Sequence, residues 1–397
     1  MNIRNTAVTA LLMINEEGIH CTKVINDALE KYSRIDSRDR ALFVKLIHGT
    51  LEYMIQIDTV INRYSSVKVS KMEPLIRNSL RLIVYQILYA DRIPDSAAID
   101  EGVKIVKKSA LRNLAGFVNG ISRKISAEKD IITFDDRPTA YSAPEWMVNL
   151  VDETIGKAKS DDFFEDSLKE HGLSIRHIGS DEVEPLNNVN KLTELEEWKT
   201  GKIIAQDYSS AQPVIRLNLS AGDTVIDVCA APGGKAIQAS EHVTDTGTVY
   251  ACDLTANKVD KIRQNIERLH TTNIKTVVAD ATVYNAEFDS KADCVIADLP
   301  CSGIGTISGK PDIKNRLTID DCKSLANLQL QILNNVCRYV VPKGKMVFST
   351  CTVDHFENDD NVKAFLAVND NYELISSEYI IKEGADGFFI AVFRRNQ

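Results

Sequence analysis

Asp227-Val228-Cys229-Ala230-Ala231-Pro232-Gly233-Gly234-Lys235 closes an apolar run, Thr224–Val228, and opens a helical one, Gly234–His242. A strand that ends in a glycine turn and enters a helix is where doubly wound sheets bind nucleotide-like cofactors, beyond the carboxyl ends of their strands. Gly233 and Gly234 permit the tight turn and a close approach by a ligand. Neither G-x-G-x-x-G nor G-x-x-x-x-G-K-[ST] occurs here, so no pyrophosphate or triphosphate cradle is expected. That disfavours a nicotinamide oxidoreductase on the same sheet.

Downstream, strand-like runs at Thr248–Cys252, Lys275–Ala279, Cys294–Ala297 and Lys345–Ser349 alternate with helical stretches at Ala256–Leu269 and Ile319–Tyr339. This alternation predicts a mainly parallel α/β sheet. The last run, Gly387–Arg394, leaves no room for another crossover and is expected as an antiparallel edge strand. The second strand ends at Asp253, twenty residues after Gly233, an offset at which an acid can hold two ribose hydroxyls. The third and fourth strands end at Asp280 and Asp298. One such acid is more often a helix N-cap than a ligand. Three at successive strand ends beside a glycine loop point to an adenosine cofactor without phosphates: S-adenosyl-L-methionine, with S-adenosyl-L-homocysteine as its product.

Upstream the rhythm is helical. Ala7, Leu11 and Ile14, then Val24, Ile25 and Ala28, then Leu42, Leu46 and Ile47 recur at helical spacing, and Pro74 can open a helix through Ile87 and Leu88. Further helices are expected near Ala97–Lys108 and Leu111–Ile125, giving an all-helical bundle. Asp135, Asp136, Pro138, Ser142 and Pro144 read as a linker. After it come helices at Pro144–Ile155 and Asp161–His171 and short strands near Leu173–Ile178 and Ile203–Gln206. The organisation expected is therefore 1–126 helical, 127–204 a linker with a small α+β region, and 205–397 the α/β domain.

The whole chain of 397 residues has a net charge of -9, but residues 1–130 carry 20 Lys and Arg against 15 Asp and Glu. A basic first third on an acidic body suggests its own polyanionic partner, RNA or DNA. The eight cysteines form no C-x-x-C pair and sit at no zinc spacing, so no metal is expected and reduced thiols are. No run of about 18 apolar residues and no secretory signal is present, and a cytoplasmic location without a membrane partner is the expectation.

Two cysteines stand apart. Cys301 follows Asp298-Leu299-Pro300, and Cys351 follows Ser349-Thr350, both at strand exits beside the expected cofactor. A lone cysteine is usually a buried filler. Two thiols next to an acid favour covalent catalysis, and the chemistry that needs this set is C5 methylation of a pyrimidine. A thiolate adds to C6 and makes C5 nucleophilic, a carboxylic acid near N3 and N4 supports the charge shift, and a second thiol can assist release. Spacing does not decide which thiol attacks.

Together these residues resemble the bacterial 16S ribosomal RNA cytosine-5 methyltransferases of the RsmB family, also called Sun or Fmu. The stretches that carry the likeness are Asp227–Lys235, Asp298–Gly303, Lys310–Lys314, Ser349–Cys351, Glu357-Asn358 and Asp386–Phe389, and it covers nearly the whole chain. Arg38–Leu42, His48-Gly49-Thr50 and Arg81–Leu88 are similar to the RNA-binding NusB domain. The resemblance implies an all-α NusB-like bundle, a small α+β middle region and a C-terminal α/β Rossmann-like methyltransferase fold. It implies that Cys229, Ala230, Ala231, Pro232, Gly233, Gly234 and Lys235 line S-adenosyl-L-methionine, with Asp253 on the ribose and Asp280 at the adenine end. It also places Asp298 by the methyl donor and the target base, and makes Cys351 the nucleophile and Cys301 the releasing thiol. Its partner would be 16S ribosomal RNA or an assembling small-subunit particle, with no obligate protein partner and a monomeric state.

Some positions depart from the family. Leu299 replaces a usual Ala, Ala236 a usual Thr and Asn315 a usual Trp, and residues 157–175 lack a Leu-Arg-Val-Asn strand. Lys310, Lys314 and Arg316 are candidate phosphate contacts, Tyr208 and Phe389 candidate base-stacking residues. Two other readings remain: the same chemistry on transfer RNA, and a noncatalytic RNA-binding assembly or antitermination factor, which would need none of Cys301, Cys351, Asp298 or the glycine loop.

Overall fold

Helices form where the apolar spacing of the first 128 residues is regular, and caps or prolines mark the start of four of the seven long ones. The computed structural model describes residues 2–32, 35–169, 171–186 and 192–396. The chain divides into two units, residues 1–149 with 307–317 and residues 150–306 with 318–397.

The first unit is helical. Its long helices are Ile3–Asn15, Cys21–Lys31, Ser37–Glu52, Met54–Tyr64, Pro74–Tyr89, Asp95–Lys107 and Ala115–Glu128. Asn2 and Asp36 cap the first and third through their side chains, and Pro74 opens the fifth. The Pro74–Tyr89 helix is buried almost throughout from Ile76 to Ile87 and packs against Leu11, Phe43, Ile47 and Val118. Its one buried arginine, Arg81, forks onto Asp58 at 2.7 and 2.6 Å.

Residues 307–317 belong to this unit although they lie far along the chain. Ile307, Ile313 and Leu317 are buried. The segment docks by helix-end chemistry. Asp312 accepts the Cys21 N–H at the start of one helix (3.4 Å), while Lys314 Nζ and Asn315 Nδ2 donate to the carbonyls of Glu52 (2.8 Å) and Leu51 (3.0 Å) at the end of another. A helix start favours an anion and a helix end a cation, so the segment matches both.

The second unit opens with the helix Lys157–Ser167 and a three-stranded antiparallel sheet in the order β2-β1-β3, with β1 Leu173–His177, β2 Val183–Leu186 and β3 Ile203–Ala205. β1 and β3 fall where strands were expected. β2 does not announce itself, because Glu184 and Pro185 face solvent.

Seven strands follow: β4 Thr224–Asp227, β5 Thr248–Asp253, β6 Ile274–Val278, β7 Ala292–Asp298, β8 Val340–Thr350, β9 Tyr372–Ile380 and β10 Phe388–Arg395. They form one sheet in the order β6-β5-β4-β7-β8-β10-β9. β4 to β8 are mutually parallel, and β10 runs antiparallel to both β8 and β9. The expectation that the last strand is antiparallel holds, but it is not the edge. β9 lies outside it, and its Glu373, Ser376, Ser377 and Glu378 leave no apolar alternation to read. β4 lies between β5 and β7, so the chain order reverses there and a crevice opens above the carboxyl ends.

Candidate active site

Strand order decides which side chains meet. β5, β4, β7 and β8 are neighbours, and their carboxyl ends bring Asp253, Asp227, Asp298 and Ser349-Thr350-Cys351 into one row.

The glycine loop turns as its sequence requires. Gly233 takes a φ of 112°, where side chains are strained, and starts the Gly234–Val243 helix. The loop is pinned by Asp253, whose carboxylate accepts from Ala231 N (3.0 Å) and Leu254 N (2.8 Å) and pairs with Lys258 (3.1 Å). Asp280 is exposed and accepts from the Thr282 N–H and hydroxyl, which hold it below the usual carboxylate range.

Asp227 is the most unusual acid. It is buried and its Oδ2 has no hydrogen-bond partner in the chain. Burial, with Asp298 and Asp253 nearby, pushes its carboxyl up to about 8 against the pull of Lys235. An orphaned buried acceptor, a row of acids and a bare glycine turn together suit a cationic, ribose-bearing ligand. S-adenosyl-L-methionine is one, and the residues present fit it.

Lys235 lies beneath the crevice and not on a solvated face. Its ammonium pairs with Asp298 Oδ2 at 2.8 Å, donates to Ser210 Oγ at 2.9 Å and lies over the Phe388 ring. Burial works against its charge, but Asp298 and Asp227 outweigh that and hold the proton on. Asp298 Oδ1 accepts from Ser349 Oγ at 2.8 Å, so both its oxygens are oriented.

The two cysteines meet. Cys301 Sγ and Cys351 Sγ are 3.3 Å apart, and both are half-buried. The hydrogen bond to Cys351, then burial, pushes the Cys301 thiol well above its ordinary range. Gly305 closes the same junction. Its N–H donates to Cys351 O and its carbonyl accepts from Gly387 N, and a Cβ at Gly305 would stand 1.8 Å from the Gly387 carbonyl oxygen.

The 16S rRNA methyltransferase RsmB/F family model matches residues 214–394, and the NusB family model residues 1–127. The probable ribosomal RNA small subunit methyltransferase B of Bacillus subtilis (strain 168) is 30% identical, over 99% of both chains. This chain belongs to the RsmB family. A Synechocystis relative of the same description is 27% identical over the full length of both chains. The crystal structure of PH0851 shares the fold with a TM-score of 0.78 over 99% of each chain, at 22% identity. Members of the RsmB family are S-adenosyl-L-methionine-dependent ribosomal RNA methyltransferases, and here a NusB domain precedes a Rossmann-like catalytic domain.

The remaining candidates differ in exposure and partners. Lys314 is sealed in the helical unit with its ammonium on the Glu52 carbonyl, so it is not a phosphate contact. Arg316 pairs with Asp312, while Lys310 is exposed. Phe389 is core, packed edge-on to Phe348, and Tyr208 carries the Lys382 ammonium 3.4 Å over its ring. Ser210, which accepts from Lys235, was not singled out in the sequence, and Ser349, which donates to Asp298, was quoted there only as part of the Thr-Cys stretch, without a role. Ser349 could have been found from its place at a strand end, one residue before Thr350-Cys351. Among the described residues no helix is long and apolar enough to cross a membrane.

Proposed function

We propose that this enzyme methylates C5 of a specific cytosine in 16S ribosomal RNA through a covalent bond between Cys351 and C6 of the base. The observation that carries this reading is the 3.3 Å approach of two thiols at adjacent strand ends, beside an oriented Asp298. Cys229 to Lys235, Asp253 and Asp280 would hold S-adenosyl-L-methionine, which supplies an electrophilic methyl group.

The chain's own groups do the rest. The family resemblance makes Cys351 the attacking sulfur and Cys301, whose thiol the Cys351 hydrogen bond and burial hold above its ordinary range, the releasing one. Addition of Cys351 to C6 moves an electron pair toward C5 and makes that carbon nucleophilic. Asp298 accepts from the exocyclic amine, and the Lys235 ammonium at its side supports the charge that develops on the pyrimidine ring. After methylation a base takes the C5 proton, the C–H pair re-forms the C5–C6 double bond, the Cys351–C6 bond breaks with its pair going to the Cys351 sulfur, and Cys301 assists that release. The cytosine must be unstacked or unpaired to reach the crevice, which favours an accessible RNA segment over an intact duplex.

In this reading residues 1–126 bind RNA, 127–204 connect, and 205–397 catalyse. The enzyme acts as a cytoplasmic monomer on 16S ribosomal RNA or an assembling small-subunit particle. The test is transfer of labelled methyl from S-adenosyl-L-methionine to unmethylated 16S RNA by wild type, Cys351→Ala and Cys301→Ala. Loss of transfer in Cys351→Ala, with a denaturant-resistant protein–RNA adduct in Cys301→Ala, is expected. The reverse pattern exchanges the two cysteines. Transfer to transfer RNA alone moves the substrate, and RNA binding without transfer overturns the enzyme reading.

A further inference from the structure

Behind the two cysteine loops lies a sealed polar cluster that the chemistry above does not use. Glu357 is fully buried, and its carboxyl oxygens accept the Ser302 N–H at 3.2 and 3.0 Å. Gln329 Nε2 donates both to Glu357 Oε2 (2.6 Å) and to the Pro300 carbonyl (2.9 Å). The residues before and after Cys301 are therefore tied to one carboxyl–amide pair. Asn361 holds the Gln329 amide in turn, at 3.0 Å.

The next residue does the same for the other thiol. Asn358 Oδ1 accepts from Thr350 Oγ1 at 2.6 Å, and Asn358 Nδ2 donates to the Thr352 carbonyl at 3.1 Å. Those are the two neighbours of Cys351. Ser302 Oγ and Thr352 Oγ1 are 2.7 Å apart and join the two loops directly.

We propose that Glu357-Asn358 is a positioning dipeptide, in which Glu357 holds the Cys301 loop and Asn358 holds the Cys351 loop, so that two adjacent residues set the spacing of the thiols from behind. The proposal rests on the two-thiol reading given above. Glu357 serves as a neutral acid. Burial, then Asp354, pushes it up to about 9. Cys322, Asp354 and Glu357 lie close enough to share an ion. Both Glu357 oxygens already accept from Ser302 and Gln329, so the grouping serves as scaffold. Gln is the isostere of the protonated acid, and its oxygen can still accept from Ser302 and Gln329.

The experiment compares Glu357→Ala, Glu357→Gln, Asn358→Ala and Cys301→Ala for kcat, KM and the fraction of protein trapped as a denaturant-resistant RNA adduct. Glu357→Ala should lower kcat about 10- to 100-fold, as expected for a reacting group displaced by about 1 Å. It should also accumulate adduct as Cys301→Ala does, because the releasing thiol has moved. Asn358→Ala should lose a similar factor without adduct, because the attacking thiol has moved. Glu357→Gln should restore most of kcat, with KM for S-adenosyl-L-methionine unchanged throughout. If Glu357→Ala fails to fold, Gln329→Leu frees Pro300 and should show the same adduct at smaller amplitude. Adduct in Cys301→Ala but in neither Glu357→Ala nor Gln329→Leu overturns the proposal, as does wild-type turnover in Glu357→Ala. No adduct in Cys301→Ala overturns the two-thiol reading and the proposal with it.

Discussion

Arg176 and Lys314 are both sealed from solvent, one in each unit, and they solve the problem of a buried cation differently. Arg176 sits on β1 and forks onto the Glu241 carboxylate at 2.8 and 2.9 Å, with Gln206 and the Ser180 carbonyl taking its other donors. Glu241 lies on the helix that leaves the glycine loop, so this pair fixes the small sheet to the helix behind the cofactor crevice. Lys314 donates to a helix-end carbonyl, and burial pushes its ammonium down to about 8, with Glu52 pulling the other way. A planar guanidinium matched to a carboxylate keeps its charge in the interior, whereas an ammonium on a carbonyl is only partly compensated. The two cations should therefore respond differently to removal.

The largest effect is expected at the fork. Arg176→Met strands a half-buried carboxylate and should cost about 3–5 kcal/mol in urea denaturation. Adding Glu241→Leu should recover more than half of that. A loss below about 1 kcal/mol in the single variant would mean that water reaches Glu241 and the contrast with Lys314 is false.

Lys314→Met should cost about 1–2 kcal/mol, through the lost donor to Glu52 O. The cost should depend on pH. The folded value lies near 8 and the unfolded one near 10.5, so between them the unfolded chain binds more protons and the wild type gains stability as pH rises. Methionine has no such gain. The gap between the two proteins should thus be smaller at pH 7 than at pH 10, and thermal melts across that range measure it. A flat gap would place Lys314 with Arg176, as a fully compensated charge.

The smallest effect belongs to the other end of the docked segment. Asp312→Asn keeps an acceptor for Cys21 N but loses the charge at a helix start and on Arg316, for about 0.5 kcal/mol that fades with added salt. A larger or salt-independent loss would show that Asp312 acts as a buried pair in the manner of Arg176.

The same contrast shows what could be read in the sequence and what could not. β4 to β8 were legible because each is a short apolar run with helix or loop signals on both sides. Asp253, Asp298 and Cys351 then follow from the rule that parallel strands present their carboxyl ends to one crevice. β9 was not legible, since its outward Glu373 and Glu378 and the Ser376-Ser377 pair give no period. Lys314 and Lys310 look alike in sequence, and only the partner carbonyl 262 residues away separates a sealed cation from a solvated one. Glu357-Asn358 stood out as a pair, but its work is done on Ser302 and Thr350, at separations of 55 and 8 residues, and no local pattern announces the longer of these. Helical periodicity predicted the bundle, and nothing in it foretold that a late segment completes it.

That late segment has a consequence for how the protein is born. The first 149 residues leave the ribosome as a nearly finished helical unit, but the piece that covers the start of Cys21–Lys31 and the end of Ser37–Glu52 is residues 307–317. At about 5–20 residues per second, translation reaches that piece on the order of ten seconds later or more. Until then the sites for Ile307, Ile313 and Leu317 stand open, and four of the seven strands of the catalytic sheet are synthesised before the first unit can close. The amino-terminal unit is thus first to be synthesised and lacks part of its own chain until residues 307–317 are made.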